Sequence, residues 1–230
     1  PVEYMAALLS VERNNTEKVG LLIAECRRMG IEVLPPDINR SELDFTIEEQ
    51  EDGTPAIRFG LAAIKNVGEG PVQTILNARR AGGPFRDLDD FCRRVDMRQV
   101  NRRALESLIK VGALRSFGTR SQLLAVVDRI VGLSAGLHRA RDVGQMSLFG
   151  EATGCYLAVE GTLLPPLSAA PEVPQREILA WEKELVGVYI SEHPLTGPLN
   201  RLRDVITAYA GTLSTEMSGQ QVVVVGMVQH

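Results

Sequence analysis

Apolar positions fall mostly at helical spacing, punctuated by glycine and proline. The first nine residues, Pro1 to Leu9, form an apolar helical stretch. A second helix follows over Thr16 to Met29, with Val19, Leu22, Ile23 and Cys26 on one face and Gly30 as its stop. Ile31 to Leu34 leads into Pro35-Pro36-Asp37, which ends any regular element. Leu43 to Ile47 and Ala56 to Phe59 read as short strands flanking a polar tip, Glu48 to Thr54.

Beyond Gly60 the pattern is helical again. Leu61 to Lys65 predicts a short helix, Asn66 to Gly70 a tight hairpin, and Pro71 to Arg80 a second helix, with Pro71 tolerated in the first turn. Gly82-Gly83-Pro84 breaks the chain. Asp87 is placed to cap a helix whose Leu88, Phe91, Cys92 and Val95 share one face. Val100, Ala104, Leu105, Leu108 and Ile109 mark the next helix, Gly112 to Gly118 a second hairpin, and Arg120 to Val131 a further helix. The pattern decays from Ser134 to Gly144, and Gly150 to Val173 reads as a flexible linker or loop. Pro174 to Leu185 is amphipathic around Trp181, His193-Pro194 turns, a short helix leads to Arg203, and Gln221 to Val228 has the signature of a buried strand. Both ends, Pro1 in a helix and His230 after a strand, read as cut from something larger.

The 230 residues are 44% hydrophobic and only 5% aromatic, so aliphatic side chains must fill the core of a soluble protein. No apolar run reaches membrane-spanning length. Cys26, Cys92 and Cys155 are isolated, without the spacing of a zinc site, and suit a reducing cytoplasm. The net charge of −4 hides a split: Gly60 to Arg120 holds twelve basic residues against six acidic, a local +6 that leaves −10 elsewhere. A basic block in an acidic chain is the footprint of a polyanion partner.

Within that block, Leu61 to Leu76 has the form of a helix-hairpin-helix motif. Glycines permit positive φ and a close approach of phosphate to the backbone, and free N–H groups at the next helix's N-terminus bind the anion. Gly68, Glu69 and Gly70 are the candidate donors, Lys65 adds a charge, and Asn66 and Val67 complete the turn. Pro71 has no N–H to give. The second hairpin, around Gly112, sits between amphipathic helices at similar spacing and carries Arg102, Arg103, Lys110, Arg115 and Arg120. Contacts of this kind position DNA without reading its bases. Just before the linker, Gln145-Met146-Ser147-Leu148-Phe149 fits the QxxLF pattern of peptides that dock on bacterial sliding clamps. There the glutamine hydrogen-bonds in a small pocket while Leu148 and Phe149 fill an apolar one.

Seven separated stretches together resemble the C-terminal half of the bacterial DNA polymerase III alpha subunit, a replicative C-family polymerase. They are Glu3-Tyr-Met-Ala-Ala-Leu-Leu9; Cys26-Arg-Arg-Met-Gly-Ile31 with Val33-Leu-Pro-Pro-Asp37; Phe59-Gly-Leu-Ala-Ala-Ile-Lys-Asn-Val-Gly68; Leu105-Glu-Ser-Leu-Ile-Lys110 with Gly112-Ala-Leu114; Gln145 to Phe149; Glu182-Lys-Glu-Leu-Val-Gly-Val-Tyr-Ile-Ser191; and His193-Pro-Leu195. The resemblance implies a mainly α fold: a paired helix-hairpin-helix domain with short β elements and the first strand of an OB-type β domain at the C-terminus. It implies the end of a fingers domain over 1–59, a clamp-binding domain over 60–150, a linker over 151–173, connecting helices over 174–216, and the OB start over 217–230. Arg115 stands where the family usually has Asp, and Glu192 where it usually has Gly.

The implied function is non-catalytic: binding duplex DNA backbone without sequence preference and docking on the beta sliding clamp, alongside other replisome subunits, in the cytoplasm and away from any membrane. The polymerase's catalytic aspartates belong to an upstream palm domain, and no Asp-x-Asp pair suited to two metals stands out here. Asp87, Asp89 and Asp90 read as a helix-cap cluster. The fragment is expected to need no cofactor and to transfer no nucleotide alone, although the parent polymerase would need Mg2+. Two alternatives remain at this point. One is a helix-hairpin-helix DNA glycosylase, which Gly82-Gly83-Pro84 with Asp87 or Asp89 loosely imitates; the other is a stand-alone clamp adaptor.

Overall fold

In the computed structural model, which describes residues 1–142, 164, 166–191, 201–202, 205–208 and 215–226, side-chain caps set the starts of four helices. Helix α1 (Val2–Val11) buries Met5, Ala6 and Leu9. Asn15 caps α2 (Thr16–Arg28) by accepting from the Lys18 amide, a first-turn donor with no partner inside the helix. Val19, Ile23 and Cys26 turn inward from α2, as their spacing requires.

Three short strands follow: β1 (Val33–Leu34), β2 (Thr46–Glu49) and β3 (Pro55–Arg58), in the order β1-β3-β2. Strands β2 and β3 form an antiparallel hairpin with Ile47 opposite Ile57, and β1 joins β3 in parallel with Val33 opposite Ile57. The strand expected from Leu43 begins only at Thr46. The carbonyls of Glu42 and Leu43 instead accept from the amides of Leu61 and Ala62. Gly60 permits this approach, since a Cβ there would lie 2.5 Å from the carbonyl carbon of Asp44.

The helix expected over Leu61 to Lys65 is a single 3-10 turn, Leu61–Ala63. Its neighbour Ile64 is already extended, and the Lys65 amide donates to the Leu185 carbonyl rather than continuing a helix. Helix α3 (Glu69–Gly82) then starts two residues before Pro71. Asp87 caps α4 (Leu88–Arg94), and Asn101 caps α5 (Arg102–Lys110), each accepting from an amide three residues on. A capping box between Thr119 and Gln122 starts α6 (Arg120–Ala125).

The continuous helix expected to Val131 breaks at Val126, and α7 (Val127–Asp142) runs through the stretch where the apolar pattern fades. Ser134 explains the fading. It is fully buried, its hydroxyl donating to the Val95 carbonyl at 2.7 Å and accepting from the Met97 amide at 3.1 Å. Those bonds satisfy the loop after α4.

Helix α8 (Gln175–Val186) packs on α2 and α5. One hydrophobic cluster runs from Met5 through Phe59, Phe91, Leu108 and Ile130 to Val186. The described part of the expected linker has no regular element but is anchored to this body. Leu164 is buried with its amide on the Asp89 carboxylate at 3.0 Å, and the Ser168 carbonyl accepts from Gln122 at 3.2 Å. Residues 221–226 form no ladder, and Val223 and Val224 are exposed. Val223 instead exchanges hydrogen bonds with Thr207. The fold is thus mainly α with a small three-stranded sheet. Among the described residues no helix is long and apolar enough to cross a membrane.

Candidate nucleic-acid interface

The first hairpin differs in detail from its sequence-based picture. Its left-handed residue is Asn66, with φ of 70°, and not a glycine. Asparagine tolerates that conformation better than most side chains, and here its amide nitrogen donates to the Ser107 hydroxyl at 3.3 Å. Val67 is buried and its N–H is bonded to the Ile64 carbonyl, so it shapes the turn from inside. Gly68 is extended, with φ of −77°, and serves as the N-cap of α3.

Gly68, Glu69 and Gly70 are exposed, and no described group accepts from their amides. Pro71, the third residue of α3, has no N–H. The two glycines are not demanded by the protein's own packing. A Cβ at Gly68 would meet only the Pro71 ring at 3.9 Å, and one at Gly70 would meet nothing within 4 Å. What their missing side chains leave open is space on the solvent side. The helix dipole adds a partial positive charge there.

Beside these amides lies a concavity of about 410 Å³ lined by Arg13, Asn14, Thr16, Lys65, Asn66 and Gly68. Lys65 is exposed at its edge. Arg13 was invisible as a site residue in the sequence, where it is one arginine in a polar connector. Its guanidinium bridges the carboxylates of Asp44 and Glu69. The Asp44 hydrogen bond foremost, against the cost of burial, holds its pKa above the ordinary arginine value.

The second hairpin uses its glycine for conformation. Gly112 has φ of +81° and is buried, with its N–H on the Ile109 carbonyl at 2.9 Å, so this amide is not available to a phosphate. Arg120 donates to the Lys110 carbonyl at 2.9 Å and lies 3.6 Å from the Glu182 carboxylate. The Lys110 ammonium sits 5.3 Å from the Trp181 ring centre. Arg102 pairs with Glu106 at 2.9 Å and Asp128 at 3.3 Å, while Arg103 and Arg115 are exposed. Leu167 leans on Gly118, where an added Cβ would fall 2.6 Å from its methyl. This turn is therefore more occupied by its own chain than the first.

Several arginines of the basic block are internal struts. Arg79, nearly buried, binds the carbonyls of Ile38 and Ser41 and the carboxylate of Glu42. Arg94 closes on the Ala78 and Gly83 carbonyls and on Asp90. Asp87 is the cap of α4, Asp89 holds Leu164, and Asp90 faces Arg86 and Arg94. The three aspartates are committed to structure. Cys26 and Cys92 are buried free thiols, and burial pushes Cys92 up to about 12. Among the described residues no cluster of His, Cys, Asp or Glu could hold a metal ion. The peptide Gln145 to Phe149, Glu192 and His193 lie outside the described residues.

Exposed amides between a 3-10 turn and α3, followed by a connecting helix and a second hairpin between α5 and α6, carry a helix-hairpin-helix motif, and residues 30–123 match the family model for the helix-hairpin-helix motif. The chain is similar end to end to DNA polymerase III alpha subunits. It is 39% identical to that of Vibrio cholerae serotype O1 over 229 residues, 99% of this chain and 19% of the relative. It is 42% identical to that of Thermus aquaticus over 234 residues, 100% of this chain and 18% of the relative. It is 37% identical to that of Haemophilus influenzae, over 99% of this chain and 19% of the relative. The similarity is to a segment of these subunits, and the chain spans about a fifth of the length of the curated relatives it matches.

Proposed function

We propose that this segment is a non-catalytic part of a replicative DNA polymerase III alpha subunit, one that grips duplex DNA by its backbone and docks on the beta sliding clamp. The observation that carries the DNA reading is the first hairpin. Three exposed amides, two of them from glycines that the fold itself does not require, have no partner among the described residues. Such a site fits a phosphodiester oxygen, which needs N–H donors and close backbone approach. Lys65, Asn66 and the second hairpin's Arg102, Arg103, Lys110, Arg115 and Arg120 supply the surrounding charge and polarity. Gly112 and Val67 contribute by holding the two turns in shape.

Contacts of this kind give salt-sensitive binding without sequence preference. The clamp reading rests on the sequence Gln145 to Phe149 alone. A weak peptide contact becomes effective when tethered next to a DNA-binding unit. The setting is the cytoplasmic replisome, with the parent polymerase supplying palm aspartates and Mg2+ for nucleotidyl transfer.

The test is duplex binding by the chain and by its Gly68→Val and Gly70→Val variants across a salt series. Each valine places methyl groups where the phosphate must come. Binding should weaken roughly tenfold, equally for unrelated duplexes, and the slope of log K against log salt should shrink by about one phosphate. Undiminished binding by both folded variants overturns the reading.

A further inference from the structure

Glu69 poses an electrostatic problem for the first hairpin. It opens α3, so its carboxylate stands beside the amides offered to an anion, and an acidic side chain there repels a phosphate and can compete for the same donors. We propose that Arg13 is a positioning residue of this site, holding the Glu69 carboxylate aside and partly offsetting its charge so that a phosphodiester oxygen reaches the amides of Gly68 to Gly70. This rests on the reading of the first hairpin as a phosphate contact.

The geometry supports it at three points. Arg13 comes from the connector between α1 and α2, yet one arm of its guanidinium holds Glu69 and the other holds Asp44. The arginine side chain is only 19% exposed while that of Glu69 is 66% exposed, so a fixed cation restrains a surface carboxylate. Arg13, Lys65 and Gly68 line one concavity, which puts the cation at the mouth of the site. With Arg13 in place the group it forms with Asp44 and Glu69 carries a net −1, and without Arg13 it carries −2. A guanidinium suits this bridging better than an ammonium, because its planar fork can serve two carboxylates at once.

A double-mutant cycle on the chain tests it, with Arg13→Ala, Glu69→Gln and the double variant titrated against a random-sequence duplex at moderate salt. Thermal unfolding is followed in parallel, and Arg13→Gln replaces the alanine variant if that one unfolds. Arg13→Ala should weaken binding roughly three- to tenfold in the parent background and less than about twofold in the Glu69→Gln background. Arg13→Lys should fall between. Equal losses in both backgrounds overturn the proposal, because they mean a direct contact or a general effect on the fold. Full binding by Arg13→Ala also overturns it when Gly68→Val weakens binding. If Gly68→Val and Gly70→Val both bind normally as well, the phosphate-site reading has failed and the inference falls with it.

Discussion

Replacing Glu182 probes how α8 is locked against the paired hairpins. The residue is 1% exposed. Its Oε2 accepts from the amides of Ile190 and Ser191 at 2.8 and 3.1 Å and from the Ser191 hydroxyl at 3.2 Å. Its Oε1 has no hydrogen bond and faces Arg120 at 3.6 Å. Glu182→Ala strands those donors and removes the countercharge of Arg120. Breaking a buried pair costs about 3–5 kcal/mol, and the freed donors add less than the roughly 1–3 kcal/mol of a buried one, because Ile190 is part-buried and Ser191 exposed to water. Arg120 is one-fifth exposed and its contact is long, so the lower end applies, about 3 kcal/mol in total. For a chain of this size that lowers Tm by about 6–12 °C. Glu182→Gln keeps an acceptor for the amides but cancels the charge, and should cost about 1–2 kcal/mol. Calorimetry gives the Tm, and hydrogen exchange at Ile190 and Ser191 reports the local contact: exchange should accelerate in the alanine variant and much less in the glutamine variant. An alanine variant within about 0.5 kcal/mol of the parent refutes the lock.

Three further outcomes follow from the same structure. The Arg58 hydrogen bond holds Glu48 below the usual carboxylate range and Arg98 does the same for Asp96; at Asp90 burial pushes upward but the Arg86 amide and Arg94 outweigh it. Depressed carboxylates stabilise the fold above their unfolded pKa and cease to as pH falls through the folded value, so Tm should hold from pH 5 to 8 and drop below about pH 4; a loss beginning near pH 6 would contradict this. Burial raises the thiols of Cys26 and Cys92, so peptide mapping after treatment with a thiol reagent at pH 8 should find both unmodified until denaturant is added. Leu148→Ala combined with Phe149→Ala should reduce clamp binding by about a hundredfold or more, from the apolar burial lost, while leaving duplex affinity unchanged.

Helix positions were legible because burial imposes a period that the chain cannot hide. Val19, Ile23 and Cys26 in α2, and Ala104, Leu105, Leu108 and Ile109 in α5, all point where their spacing says. The elements that escaped were those set by distant partners. The Lys65 amide is diverted to Leu185, and the carbonyls of Glu42 and Leu43 are taken by the 3-10 turn, so neither boundary has a local cause. Ser134 blurred the apolar pattern of a helix because its polarity serves a loop 39 residues away.

At the site, the glycine-bearing turn was readable, but the assignment of its left-handed residue was not, since asparagine takes that role as well as glycine does. Counting charges overstated the basic surface, because Arg79 and Arg94 are spent on internal carbonyls and carboxylates. Arg13 escaped for the opposite reason. It meets Glu69 across 56 positions, and only the fold makes that pair.

The account stands most directly on the amides of Gly68, Glu69 and Gly70, and an NMR titration of the labelled chain with two duplexes of unrelated sequence reads them one by one. These three amides should show the largest shifts, alike for both duplexes and suppressed by added salt. Shifts that leave them untouched, or that appear for one sequence only, would contradict a backbone phosphate held at the start of α3.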